Sequence, residues 1–141
     1  MKILGIESTC DETGVAIVEN GTKIIANVVF SSSDLFKKYG GIVPEIAARE
    51  QIKAIIPSIA ETIGSKNNRD FDAIAISFGP GLIGSLLIGV ETSKALALAW
   101  QKPLIPVNHL VGHIYSSWLN SKRVPKFPAV ALIVSGGHTD L

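Results

Sequence analysis

The run Asp72-Ala73-Ile74-Ala75-Ile76-Ser77-Phe78 most narrows what this chain can fold into. Its apolar pattern is continuous rather than alternating. As a strand it suits a parallel sheet covered on both faces. The segments around it follow suit. Lys2 to Glu7 reads as a short buried strand, and Gly14 to Val18 as a second. Asn20-Gly21 is a strong hairpin signal, and it leads into a third strand over Lys23 to Phe30. Ser31 to Gly41 reads as a polar loop. Pro44 suits the first turn of a helix over Glu45 to Ile63. Its apolar positions Ile46, Ala47, Ile52, Ile55, Ile56, Ile59 and Ile63 fall at helical spacing, and Pro57 predicts a kink or two abutting helices.

After the central strand come a helix over Ser85 to Trp100, a strand over Pro103 to Val107, another helix, and a strand over Pro128 to Val134. Three strands and then alternating helices and strands predict an α/β domain with a mixed sheet covered by helices. The last strand and its turn, Ser135-Gly136, echo the first strand and Ser8-Thr9. That echo divides the chain into a first lobe over 1–127 and the opening of a second over 128–141.

Composition excludes several classes. A hydrophobic share of 47% with 18% charged residues supports a packed core rather than disorder. The net charge of +1 gives no global basic field for nucleic acid, which leaves a local patch open. The one cysteine, Cys10, cannot form a disulfide within the chain, which fits a reducing compartment. The acidic Glu7 comes too early for a signal peptide, and the apolar run Leu82 to Val90 stops at Glu91, short of a bilayer span. A cytoplasmic protein without membrane contact is expected.

Chemistry concentrates in a few stretches. In Asn108-His109-Leu110-Val111-Gly112-His113, Asn108 suits an N-cap and puts His109 and His113 one turn apart on one helix face. Such a pair can share a divalent metal, or can be two ordinary helix histidines. Leu110 stands where a zinc protease of the His-Glu-x-x-His type carries its general base, so that hydrolysis is not supported. Ser135-Gly136-Gly137-His138-Thr139 is either an anion cradle or a hairpin turn. Ser8 to Thr13 is either a second polar cradle or a solvated hairpin. Gly79-Pro80-Gly81-Leu82-Ile83-Gly84-Ser85 either sets a helix N-terminus against an anion or serves close packing. Acidic neighbours of Cys10 would raise its thiol pKa, so it is read as structural.

Together these motifs resemble a family. Ile6 to Thr13, Tyr39-Gly40-Gly41-Ile42-Val43-Pro44-Glu45, Gly79 to Leu86, Asn108 to His113 and Val134 to Thr139 follow one another as in TsaD proteins, the tRNA threonylcarbamoyladenosine synthases, formerly described as glycoproteases. The resemblance implies an actin-like, sugar-kinase-like (ribonuclease H-like) fold. It implies transfer of a threonylcarbamoyl group from threonylcarbamoyl-adenylate to N6 of the adenosine next to the anticodon, in tRNAs reading codons that begin with A.

The same resemblance implies a metal-dependent acyltransferase. His109 and His113 match the family's metal-binding histidines, with iron foremost and zinc as the alternative. Ile133, Val134, Ser135, Gly136 and Gly137 match the segment that contacts the adenylate. TsaB-like and TsaE-like proteins and tRNA are the implied partners. The residues Cys10-Asp11-Glu12-Thr13 look like the bacterial or organellar form. Archaeal and eukaryotic cytosolic relatives place a metal-site tyrosine where this chain has Ile133, so a site using it is not expected. Family members run to over twice this length. The 141 residues are therefore expected to bind metal weakly and not to catalyse transfer by themselves, and a non-catalytic partner-binding module is the competing reading.

Overall fold

The computed structural model describes residues 1–64, 70–121, 126–134 and 139–140. Its main sheet is built from β1 (Lys2–Glu7), β2 (Glu12–Glu19), β3 (Lys23–Ser31), β4 (Ala73–Gly79) and β5 (Leu104–Asn108), in the order β3-β2-β1-β4-β5. β1, β2 and β3 run antiparallel, while β4 and β5 join β1 in parallel. The mixed α/β sheet is the one the sequence predicts. Asn20 and Gly21 take positive φ values of 52° and 77°, and Thr22 N donates to Glu19 O at 3.3 Å. This is the turn that matches the right-handed twist of a tight hairpin.

The strands bury one side-chain set. Leu4, Ile6, Val15, Ile17, Ile74 and Ile76 point to one face and meet Ile55, Ile59 and Ile63 of the helix α2 (Pro44–Ile63). The helix α3 (Ile83–Trp100) packs beside α2 on β4. The other face carries small residues. Gly5 pairs with Ala16 across one strand boundary and with Ala75 across the other, so all three share that face. The helix α4 (His109–Ser116) lies over it, and Asn120 pins the following turn to the β2–β3 hairpin by donating from its N to Thr22 O at 2.7 Å. β4 is therefore covered on both faces, as its continuous apolar pattern predicts: Ile74 and Ile76 are buried on one face and Ala73 and Ser77 on the other, while Phe78 near its C-terminal end is 55% exposed.

Several local expectations change. α2 is one continuous helix with Pro57 inside it, on its exposed side. Its rotation exposes Ile52 and Ile56 and buries Gln51, Ser58 and Thr62. The loop after β3 contains a short helix α1 (Ser33–Phe36), which buries Phe36, and a 3-10 turn over Lys37–Tyr39 that ends at Gly40. β2 starts at Glu12, earlier than expected, because its pairing with β3 reaches Glu12↔Ser31. The expected strand 128–134 is regular only as β6 (Ile133–Val134), paired with β7 (Thr139–Asp140) in a separate sheet. α3 is long and apolar enough to cross a membrane by length and composition, a reading the apolar run alone had not given. It nevertheless carries a Glu91–Lys94 ion pair at 2.7 Å and buries Ser85, Leu86, Gly89, Ser93 and Ala97 against the domain.

Gly89 shows how closely α3 approaches β1. A Cβ added there would overlap Ser8 Oγ and lie 3.0 Å from Ile76 Cδ1. At Gly84 a Cβ would make an ordinary 3.4 Å contact with Ala48. In a helix, alanine gains about 1 kcal/mol over glycine, and overpacking costs about 1–3 kcal/mol. Urea unfolding should show Gly84→Ala neutral or stabilising and Gly89→Ala less stable than Gly84→Ala by about 1–3 kcal/mol, since both share the same helix gain. Equal effects at both positions would show that the α3–β1 approach is not a close fit.

Candidate metal and substrate site

The C-terminal ends of the parallel strands β1, β4 and β5 lie side by side, and the chemistry-bearing residues gather there. In open α/β sheets this edge is where ligands bind. Asn108 ends β5 and caps α4, its side-chain oxygen accepting from Leu110 N at 2.9 Å and Val111 N at 3.4 Å. The cap fixes the start of the helix and puts His109 and His113 on one face, as the spacing predicts. Their Nε2 atoms stand 3.0 Å apart, with ring planes at 72°. Two nitrogens on one tetrahedral ion, each at about 2.0–2.1 Å, are about 3.3 Å apart. The pair fits a shared divalent ion after a slight opening. Among the described residues no third His, Cys, Asp or Glu completes a cluster around them.

Behind His109 stands a carboxylate that sequence reasoning did not single out. Glu7, at the end of β1, places Oε2 3.2 Å from His109 Nδ1, and the Thr9 hydroxyl oxygen lies 3.5 Å from the same nitrogen. The other oxygen, Glu7 Oε1, accepts from Thr9 N at 2.7 Å. An acidic residue closing an otherwise apolar strand is the signal that could have found it.

The loop after Glu7 is not a solvated hairpin. Ser8, Thr9 and Thr13 are buried. The Cys10 carbonyl accepts from Gln51 Nε2 and from Ser85 Oγ, each at 2.9 Å. Ser8 Oγ donates to Ser85 O at 3.0 Å, and Leu82 N donates to Thr9 O at 2.8 Å. A Cβ at Gly81 would lie 2.7 Å from Thr9 O, so the glycine-rich turn serves close backbone approach. Burial pushes the Cys10 thiol up first, with Asp11 and Glu7 adding to it and hydrogen bonding from Thr9 and Leu82 opposing it. The expected direction holds, and its main cause is desolvation rather than the acidic neighbours.

Ile133 and Val134 face α4 across a cleft of about 630 Å³ that is also lined by His113, Tyr115, Trp118 and Phe127. The structure thus brings two of the expected adenylate-contacting residues to the histidine side of the sheet edge. Ser135, Gly136 and Gly137 lie outside the described residues.

The family model described as "TsaD: tRNA N6-adenosine threonylcarbamoyltransferase" matches residues 23–141. The chain belongs to the TsaD family. Curated relatives of that name include one from Staphylococcus saprophyticus, 51% identical over 99% of this chain, and one from Symbiobacterium thermophilum, 52% identical over 99%. In each case the match covers 41% of the relative, so the chain spans about two-fifths of their length. Among solved structures, "YeaZ from Pseudomonas aeruginosa" aligns with a TM-score of 0.52 at 19% identity, over 76% of this chain and 43% of that one. Thermus thermophilus RuvC in complex with a Holliday junction substrate aligns with a TM-score of 0.56 at 14% identity, over 91% and 84%. At these identities the likeness is one of fold, and it agrees with the ribonuclease H-like fold expected from the sequence.

Two measurements test this geometry. Asn108→Ala should cost about 1 kcal/mol in urea unfolding, the usual worth of a side-chain cap, and an unchanged midpoint would deny the cap its role. For Cys10, a raised thiol pKa means a smaller thiolate fraction at neutral pH. Alkylation by iodoacetamide should therefore be slower than in the urea-unfolded chain and should rise with pH above the ordinary thiol range. A faster reaction in the folded protein would contradict the burial argument.

Proposed function

We propose that the complete protein carrying this segment transfers a threonylcarbamoyl group from threonylcarbamoyl-adenylate to N6 of the adenosine next to the anticodon, in tRNAs reading codons that begin with A. The observation that carries the proposal is the convergence of His109 and His113 Nε2 at 3.0 Å, at the strand edge where the family's motifs meet. In this reading His109 and His113 hold one divalent ion, with iron foremost and zinc as the alternative. Bound there, the ion would supply Lewis-acid polarisation of a carbamoyl or phosphate oxygen. The residues of this chain do the positioning. Asn108 fixes the helix that presents both imidazoles. Ile133 and Val134 form one wall of the adjoining cleft, and the turn Ser135-Gly136-Gly137 is assigned to the adenylate phosphate on the chemistry of glycine-rich turns.

The segment from Pro128 onward is read as the opening of a second lobe. Its support is the continuous apolar run Ala129 to Val134, in which Val130, Leu132 and Val134 are each more than 60% exposed. TsaB-like and TsaE-like partners belong to the same proposal, and a cytoplasmic location follows from the tRNA substrate. The competing reading, a partner-binding module without catalysis, draws on Ile52 and Ile56 of α2 and Leu87 of α3, which leave apolar surface exposed on the helical layer.

Transfer to tRNA, assayed on the full-length protein with threonylcarbamoyl-adenylate, separates these readings. His109→Ala and His113→Ala should each lower the rate by about 100-fold or more, the scale of losing an electrostatic stabiliser. Full activity in both variants would sink the metal role. The 141-residue chain alone should bind Zn²⁺ weakly, with two protein ligands, and show no transfer.

A further inference from the structure

Glu7 stands in an unusual position, because its two carboxylate oxygens serve two different donors. Oε1 accepts from the backbone N–H of Thr9 at 2.7 Å, and Oε2 faces His109 Nδ1 at 3.2 Å. A backbone N–H can only donate. An ionised carboxylate can only accept. The imidazole is the one group in the set free to choose, since a neutral histidine carries its proton on either nitrogen. We propose that Glu7 is the positioning residue of the site: it holds the His109 proton on Nδ1 and so leaves the Nε2 lone pair directed at His113 and at any cation between them. This rests on the metal-pair reading for its use, but the tautomer follows from Glu7 and Thr9 alone.

The neighbouring contacts agree. His113 Nε2 lies 3.0 Å from His109 Nε2. With Nδ1 of His109 protonated, its Nε2 is the acceptor, and His113 supplies the proton between them. A divalent ion would take the place of that proton, which moves from His113 Nε2 to His113 Nδ1, and asks for no rearrangement at His109. The ring is also held mechanically. The His109 side chain is only 15% exposed, and Thr9 Oγ1 lies 3.5 Å from Nδ1. Thr9 itself is tied by its carbonyl to Leu82 N, and Cys10 by its carbonyl to Gln51 and Ser85. The carboxylate thus reaches His109 from a backbone that α2, α3 and the glycine turn hold in place. Carboxylates in this relation to ligating histidines fix ring orientation, and their removal commonly weakens metal affinity by about 10- to 100-fold.

The isosteric change Glu7→Gln makes a sharp prediction. A glutamine has one oxygen for the two donors. The Thr9 N–H cannot become an acceptor, so it keeps the amide oxygen. The amide N–H2 then faces Nδ1, which must accept, and the His109 proton moves to Nε2. The volume, the Thr9 contact and the fold are retained while the lone pair is turned away from the pair. Glu7→Ala imposes neither arrangement and should leave a mixture of tautomers.

The experiment is a long-range ¹H–¹⁵N correlation of the histidine rings in the ¹⁵N-labelled protein, at a pH above the ordinary histidine range, with backbone amide shifts as the check on folding. The expected result is His109 Nδ1–H in the wild type and Nε2–H in Glu7→Gln. Titration with ZnCl2, followed on the same ring signals, should show affinity about 10- to 100-fold lower in Glu7→Gln. A wild-type Nε2–H form, a Glu7→Gln protein that keeps Nδ1–H, or equal Zn²⁺ affinity in both would overturn the proposal. Failure of the wild type to bind Zn²⁺ would overturn the metal-pair reading instead, and the tautomers would then decide the role of Glu7 alone.

Discussion

The Cys10 carbonyl is the point on which the rest of this domain turns. It accepts from Gln51 on α2 and from Ser85 on α3, so one backbone oxygen in the loop after β1 ties both core helices to the sheet edge. A buried carbonyl must be bonded, and here the bonds come from side chains that break the apolar pattern of their helices. Gln51 sits where an all-apolar stripe would place an isoleucine. Its burial forces α2 to rotate, and the rotation sends Ile52 and Ile56 outward. The hydrophobic effect supplies the bulk of the stabilisation through Leu4, Ile6, Ile74 and their neighbours, yet it does not specify which way α2 faces. A few directional bonds at one loop do.

That loop also explains the glycines. Gly81 and Gly89 both lie where an added Cβ would strike the Ser8–Thr9 backbone or side chain. The helix α3 and the turn before it approach β1 more closely than any larger residue allows. Close approach lets Leu82 N reach Thr9 O and Ser8 Oγ reach Ser85 O. Packing and hydrogen bonding are therefore one constraint here rather than two.

How much of this was legible in the sequence follows from the range of each interaction. The Asn20-Gly21 turn, the Asn108 cap and the His109–His113 spacing are written within a few residues, and all three appear as read. The mixed sheet is legible too, because strand periodicity and glycine punctuation are local. The inward face of α2 was misjudged, since Gln51 earns its burial from Cys10 and Glu12, about forty residues earlier in the chain. Glu7 escaped notice for the same reason: its partner His109 lies 102 residues away and meets it only because β1 and β5 flank β4. The continuous apolar run of β4 announces cover on both faces, and both are buried. Only the assembled sheet shows what supplies that cover, α2 and α3 on one face and α4 over the small residues of the other.

The site follows the same division between local and distant. Two imidazoles one helical turn apart are inexpensive to arrange, since a capped helix of eight residues is enough. What such a helix cannot supply is a choice between the two nitrogens of the His109 ring. That choice needs an acceptor behind the ring, held rigidly, and the acceptor here arrives on a different strand. The sheet brings Glu7 to His109, and the Cys10 clamp keeps the loop after Glu7 from moving away. Fold and site are thus coupled through a single loop: the bonds that set the rotation of α2 and the depth of α3 also hold in place the carboxylate that orients His109.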